Sequence, residues 1–153
     1  MKIHWKQLLI ALAIPLGVGG LAALLTGGMG DYGAMVKPPL SPPGWVFPVV
    51  WTILYLLMGY ASYRIYLSKD LGRKRALQLY GIQLALNFIW PLIFFGGQWY
   101  LAAFFVLIAL WGFILLTIAS FSKIDQIAAD LLLPYLLWVT FAGYLNLGVF
   151  LLN

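Results

Sequence analysis

Tryptophan and carboxamide side chains set deep inside apolar runs are the chemically distinctive feature of this chain. Phe47, Trp51, Tyr55, Met58 and Gly59 fall at helical spacing, as do Gln83, Asn87, Trp90 and Phe94, and again Pro134, Trp138, Ala142 and Leu145. On a helix such spacing gathers side chains into a single stripe. Three converging stripes would enclose a site that offers ring faces for stacking and few polar anchors. The competing reading is packing, because aromatic side chains fill bundle interiors as readily as they line ligand cages. Asn87 carries the same ambiguity, since a carboxamide surrounded by hydrocarbon must find hydrogen-bond partners. It either ties two helices together, a contribution of roughly 1 kcal/mol in membranes, or anchors a ligand.

Other chemistries are excluded. The chain has 0 cysteines, which removes disulfides, thiolate metal sites and cysteine nucleophiles. Its sole histidine, His4, precedes the first apolar run, and no acidic, basic or histidine residue falls in the middle of any run. Proton relays, ion-coupled carriers and voltage sensors usually need such groups at membrane depth.

The elements that must position these side chains are membrane-spanning helices. Of 153 residues, 64% are hydrophobic and 8% charged, more apolar surface than a water-soluble core of this size can hide. Crossing a bilayer takes about 20 helical residues. The expected fold is therefore all-α, a single domain over residues 1–153 with helices at about 5–26, 44–67, 73–95, 98–121 and 125–152. The first run follows Lys2 and Lys6 but is longer than a signal-peptide core, and Ala22-Ala23 leads into more Leu, so it reads as a retained helix. Trp45, Tyr63, Tyr66, Trp99 and Tyr100 lie near span ends, where interfacial aromatics gather.

The break at residues 27–43 is the one long enough to form a lid, and long loops are often functional. Pro38-Pro39 and Pro42-Pro43 restrict it to extended backbone. Asp31 and Lys37 could pair across it or stay solvated. Pro48, Pro91 and Pro134 predict kinks that could open a cavity.

With five crossings, Lys2, Lys6, Lys69, Arg73, Lys74, Arg75 and Lys123 share one side, and Lys37 is alone on the other. The positive-inside rule then puts the N-terminus in the cytoplasm and the C-terminus outside, in a cytoplasmic membrane. The net charge of +5 reads as this topology signal and as contact with anionic lipid, not as a nucleic-acid site. Gly19 and Ala23, like Gly81 and Ala85, are small-residue pairs that permit close helix approach, the second pair suggesting a dimer face.

Tyr32, Lys37-Pro38, Pro42-Pro43, Trp45-Val46-Phe47-Pro48, Trp51, Leu54-Tyr55 and Met58-Gly59 resemble the first-loop and second-helix signature of the translocator protein family, also called tryptophan-rich sensory proteins or TspO. Gln83, Leu86-Asn87, Trp90-Pro91 and Phe94-Phe95-Gly96 resemble that family's third helix, and Pro134-Tyr135-Leu136, Trp138, Phe141-Ala142 and Leu145-Asn146 its fifth. The likeness extends over roughly residues 5–153.

This resemblance implies a homodimeric five-helix bundle with a ligand cavity among helices 1, 2, 3 and 5, placing Tyr32, Pro42, Phe47, Trp51, Tyr55, Asn87, Trp90, Trp138, Ala142 and Leu145 around it. It implies a membrane receptor or sensor for porphyrins, haem and protoporphyrin IX among them, and for benzodiazepine-site ligands. Porphyrin would be the ligand, with no cofactor required. The alternatives are light-dependent oxidative porphyrin degradation, with Trp51 and Trp138 as catalytic candidates, and a carrier of porphyrin or other apolar ligands. A flat tetrapyrrole suits an aromatic slot with few anchors. Cholesterol is expected to bind poorly, because no basic residue follows Tyr144 to complete the sterol motif. His4 is badly placed for axial haem ligation, and no metal site is expected.

Overall fold

The structure is a computed structural model that describes residues 2–27 and 32–153. The first helix, α1, runs from Trp5–Leu25, and a single 3₁₀ turn at Tyr32–Ala34 interrupts the lid. Then come α2 (Val46–Leu67), α3 (Arg73–Pro91) extended by a π turn at Leu92–Gly96, α4 (Tyr100–Ser122), the short α5 (Gln126–Leu131) and α6 (Leu133–Leu152). Helices are forced here because hydrocarbon offers no partner for backbone N–H and C=O groups. Five spans are long and apolar enough to cross a membrane, with α5 and α6 together making the fifth, from Gln126–Leu152.

Prolines set several of the boundaries. Pro91 ends α3 where the ladder widens into the π turn, while Pro48 and Pro134 fall in the first turns of α2 and α6, where a missing N–H costs least. Pro15, buried within α1, is a further interruption of a helical ladder.

The spans close into a ring. Helix α1 packs on α2 and α3, α3 on α4, α4 on α5 and α6, and α5 returns to α2. Gly59 makes the α1–α2 contact possible, because a Cβ there would sit 2.7 Å from the Ala11 carbonyl oxygen. The core draws on α2 to α6, with Met58, Ala61, Ile65, Ala76, Leu84, Ile114, Phe121, Ala128, Tyr135 and Val139 buried.

The inward face of α6 is Tyr135, Val139, Ala142, Leu145, Asn146 and Val149, which keeps Ala142 and Leu145 of the stripe that spacing suggested but has Tyr135 and Val139 where Pro134 and Trp138 were expected. Polar pairing decides the rotation, since Tyr135 and Asn146 both find buried partners only in this register. Interfacial anchoring fits Trp45, Tyr66 and Trp99, which are exposed, whereas Tyr63 is buried and its hydroxyl accepts from the His4 N–H at 2.9 Å.

Each end of the ring has its own lock. At the basic end the Arg64 Nε donates to Asp125 Oδ2 at 2.8 Å, and Asp125 Oδ1 caps α5 by accepting from the Ile127 and Ala128 N–H groups. At the other end the lid is fastened to α6. The Tyr144 hydroxyl donates to the Pro39 carbonyl at 2.6 Å, Asn153 exchanges hydrogen bonds with both backbone groups of Val36, and Pro38 is seated directly on Gly148.

Candidate functional site

A cavity of about 300 Å³ lies between α1, α2 and α3 in the half of the bundle nearest the lid. Helix α1 gives it a small-residue wall of Gly19, Gly20, Ala22 and Ala23. Facing that wall are Phe47, Trp51 and Tyr55 of α2, with Asn87 and Trp90 of α3 and Phe95 of the π turn closing the third side. Small residues on one wall and rings on the other leave room between the helices, because side-chain volume is missing on α1. The Tyr55 ring lies against Gly19, where a Cβ would overlap it.

The aromatic walls hold one another. Trp51 stacks on Tyr55 with centroids 5.5 Å apart and meets Tyr135 edge-on at 6.1 Å. Trp90 stacks on Phe94 at 5.1 Å, and its indole N–H donates to Asn146 Oδ1 at 2.9 Å. Asn146 in turn donates to the Tyr100 carbonyl at 2.8 Å, the helix-to-helix contact its position near the last span's end suggested. With its N–H engaged, Trp90 presents to the cavity a ring rather than a donor.

The cavity floor is polar. The Tyr55 hydroxyl donates to Asn87 Oδ1, Asn87 Nδ2 donates to the Tyr135 hydroxyl, and that hydroxyl donates to Gln83 Oε1, each at 2.7 Å. Four side chains from α2, α3 and α6 thus satisfy one another in the membrane interior, where an orphaned polar group is costly. Asn87 fits both readings of it at once, tying helices together while lining the cavity. One proton of its NH₂ group is uncommitted among the described residues and can meet an acceptor on a ligand.

A second concavity, about 530 Å³, lies in the lid and is lined by Tyr32, Gly33, Lys37, Ser41, Pro42, Pro43 and Gly44. The Tyr32 hydroxyl donates to the Pro42 carbonyl at 2.5 Å, and burial raises its pKa above the ordinary 10.0, so it keeps that proton. Lys37 Nζ donates to the carbonyls of Tyr32 at 2.9 Å and Met35 at 3.2 Å and lies over the Tyr32 ring. A pairing of Lys37 with Asp31 lies outside the described residues. Tyr32 meets Phe47 edge-on at 5.1 Å, so one aromatic pair separates the lid cleft from the cavity below.

The residues expected around one site are therefore distributed. Phe47, Trp51, Tyr55, Asn87 and Trp90 line the cavity, and Tyr32 and Pro42 line the cleft. Trp138 stands behind Phe47 at 5.7 Å, its indole N–H buried and without a partner, while Ala142 and Leu145 are buried on α6 away from the cavity lining. Two features escaped the spacing argument. The α1 wall was visible in the sequence as Gly19 and Ala23, read there as a helix-approach pair, and Tyr135 entered only through the fifth-helix resemblance, one residue off the spaced stripe.

The amino-acid sequence that builds this bundle has relatives among known proteins. Residues 11–152 match the model of the TspO/MBR family. The chain is 40% identical to the tryptophan-rich protein TspO of Chlorobaculum tepidum, over 99% of this chain and 98% of that protein. It is 39% identical to the tryptophan-rich sensory protein of Cereibacter sphaeroides over 80% of this chain and 76% of that protein. With the translocator protein of Bos taurus the identity is 42%, over 84% and 79% of the two chains. Likeness of this extent, on a bundle whose five spans make it an integral multi-pass membrane protein, shows that the chain belongs to the TspO/MBR family of membrane sensor and translocator proteins.

Proposed function

We infer that this protein is a membrane receptor for flat, largely apolar ring compounds, with porphyrins such as haem and protoporphyrin IX and benzodiazepine-site ligands as its ligand classes. The observation that carries this reading is the cavity between α1, α2 and α3, with ring faces from Trp51, Tyr55 and Trp90 on two sides, glycine and alanine on the third, and Asn87 at its floor. Stacking and dispersion supply affinity there, and the free proton of Asn87 supplies orientation. A volume of about 300 Å³ is at the small end of ligand pockets, so a compact ring system fits within it and a tetrapyrrole would extend beyond it. The positive-inside pattern supports a cytoplasmic membrane with the basic end inside and the lid outside. The exposed Gly81 and Ala85 on α3 offer a close-approach face for a homodimer.

Titration of the detergent-solubilised protein with protoporphyrin IX tests the reading. Saturable quenching of tryptophan fluorescence, with a shifted Soret band, is expected at one site per chain. Unsaturable uptake equal to that of empty micelles would refute it.

A second reading, light-dependent oxidative degradation of bound porphyrin, is favoured by the position of Trp51 on the cavity wall and of Trp138 one ring behind it. Both indoles can give an electron or hydrogen atom to a photoexcited ring, and dissolved dioxygen is the oxidant this reading requires to take up the electrons and supply the oxygen that opens the ring. Replacing both by Phe, which keeps a ring at each position, should abolish light-driven loss of the Soret band per bound porphyrin, with occupancy measured in the dark. Undiminished photodegradation would remove this reading and leave the receptor standing.

A further inference from the structure

The lid cleft contains a charged group that the cavity below lacks. Lys37 is the only Lys or Arg between Lys6 and Arg64, and the described acidic residues, Asp70, Asp125 and Asp130, lie at the opposite end of the bundle. Its ammonium has three protons, two of which go to the Tyr32 and Met35 carbonyls. The other side-chain donors of the cleft are already turned inward, Tyr32 to the Pro42 carbonyl and Ser41 to the Pro38 carbonyl at 2.7 Å. Among the described residues, the third proton of Lys37 is therefore the one charged donor left to an incoming group. A single ring pair, Tyr32 on Phe47, separates this donor from the cavity, and Lys37 Nζ is 4.7 Å from the near side of that pair, the Tyr32 ring centroid.

We propose that the lid cleft is a carboxylate subsite in which Lys37 pairs with an acidic side arm of the ring compound held in the cavity below. The inference rests on the receptor reading and deepens it. A tetrapyrrole larger than the cavity has to extend beyond it, and reaching the lid cleft requires displacing the ring pair of Tyr32 and Phe47; protoporphyrin IX and haem carry their two acid arms together on one edge. With that edge uppermost, the apolar edge stacks between Trp51 and Trp90, and the acids meet the one cation at this end. A charge-assisted hydrogen bond is stronger than a neutral one, and in this open cleft it is the kind of pair that salt screens. The proline-stiffened backbone holds the carbonyls that fix the lysine, so little ordering is left for binding to impose.

The test compares protoporphyrin IX with its dimethyl ester, which keeps the ring and removes the charge, in neutral detergent. The native protein should bind the free acid about tenfold more tightly than the ester. Lys37→Met should lose that preference by weakening the acid alone, and Lys37→Arg should keep most of it. Raised salt should weaken the acid and leave the ester unchanged. If the native protein binds both forms equally, the subsite is refuted while the receptor reading stands. Equal weakening of acid and ester by Lys37→Met would also refute it, assigning the lysine to holding the lid. If neither compound binds the native protein, the receptor reading fails and the subsite fails with it.

Discussion

Tyr55 on α2 and Asn87 on α3 are joined by a 2.7 Å hydrogen bond at the floor of the cavity, with the tyrosine hydroxyl as donor and the carboxamide oxygen as acceptor. This fixes the amide so that its nitrogen meets the Tyr135 hydroxyl on α6 and turns its remaining proton free. One contact thus contributes to the stability of three helices and to what a ligand would encounter.

Tyr55→Phe should retain the ring and its stacking on Trp51 but leave the Asn87 oxygen without its donor. The expected cost is about 1 kcal/mol, near the range found for polar contacts within membranes. Asn87→Leu should cost more, since Tyr55 and Tyr135 both lose a partner. Denaturant-driven unfolding in detergent measures both, and a Tyr55→Phe protein as stable as the native one would show that the contact carries no net stability.

A side chain introduced at Gly20 should fill the cavity without disturbing the fold. A Cβ there meets nothing within 4 Å, and the residue lines the cavity. Gly20→Leu should lower porphyrin affinity by at least about tenfold, with the thermal midpoint little changed. Gly19→Ala should instead lower the midpoint, because its new methyl group meets the Tyr55 ring.

The seat of Pro38 on Gly148 makes the lid sensitive to a single methyl group. Gly148→Ala places a Cβ inside the space of the Pro38 ring, and the rigid ring has no rotamer by which to withdraw. The lid should lift from α6, weakening the Tyr144 and Asn153 hydrogen bonds with it. Limited proteolysis should cut within the lid several times faster than in the native protein, and bound ligand should dissociate faster. Unaltered cleavage would mean that the docking is not held at this point.

Acid should weaken the basic end before the lid end. Burial opposes ionisation of Asp125, but the hydrogen bonds from Arg64 and the α5 backbone outweigh it and hold its pKa below the ordinary 3.8. A carboxyl group with a lowered pKa stabilises the folded state above its unfolded value, and that contribution disappears as pH falls through the folded value. The thermal midpoint should therefore decline below about pH 4, and Asp125→Asn should lower the neutral-pH midpoint and flatten the acid decline. An equally steep decline in the variant would assign the acid sensitivity elsewhere.

The sequence made the spans and most of the cavity's large side chains legible. Phe47, Trp51 and Tyr55 follow one another at helical spacing on α2, and Asn87 and Trp90 do so on α3; the structure places all five on the cavity. On α6 the same argument put Pro134 and Trp138 inward, where Tyr135 and Asn146 prevail. Apolar periodicity is a weak guide on a helix that is hydrophobic on every face, because lipid and core reward the same side chains. Buried hydrogen bonds then choose the rotation, and their partners are distant in sequence.

The amino-acid sequence by itself determined that this chain lies in a membrane, how many times it crosses and which end is basic, since those follow from run length, apolar content and the positions of Lys and Arg. Only the tertiary structure decided that α1 forms a cavity wall, that Trp138 stands behind Phe47, and that the lid is fastened to α6 through Gly148, Tyr144 and Asn153. The physical reason is that a cavity is volume left unfilled between helices. Where small residues of one helix meet large rings of another depends on ring order and rotation, and these are settled by long-range packing and hydrogen bonds.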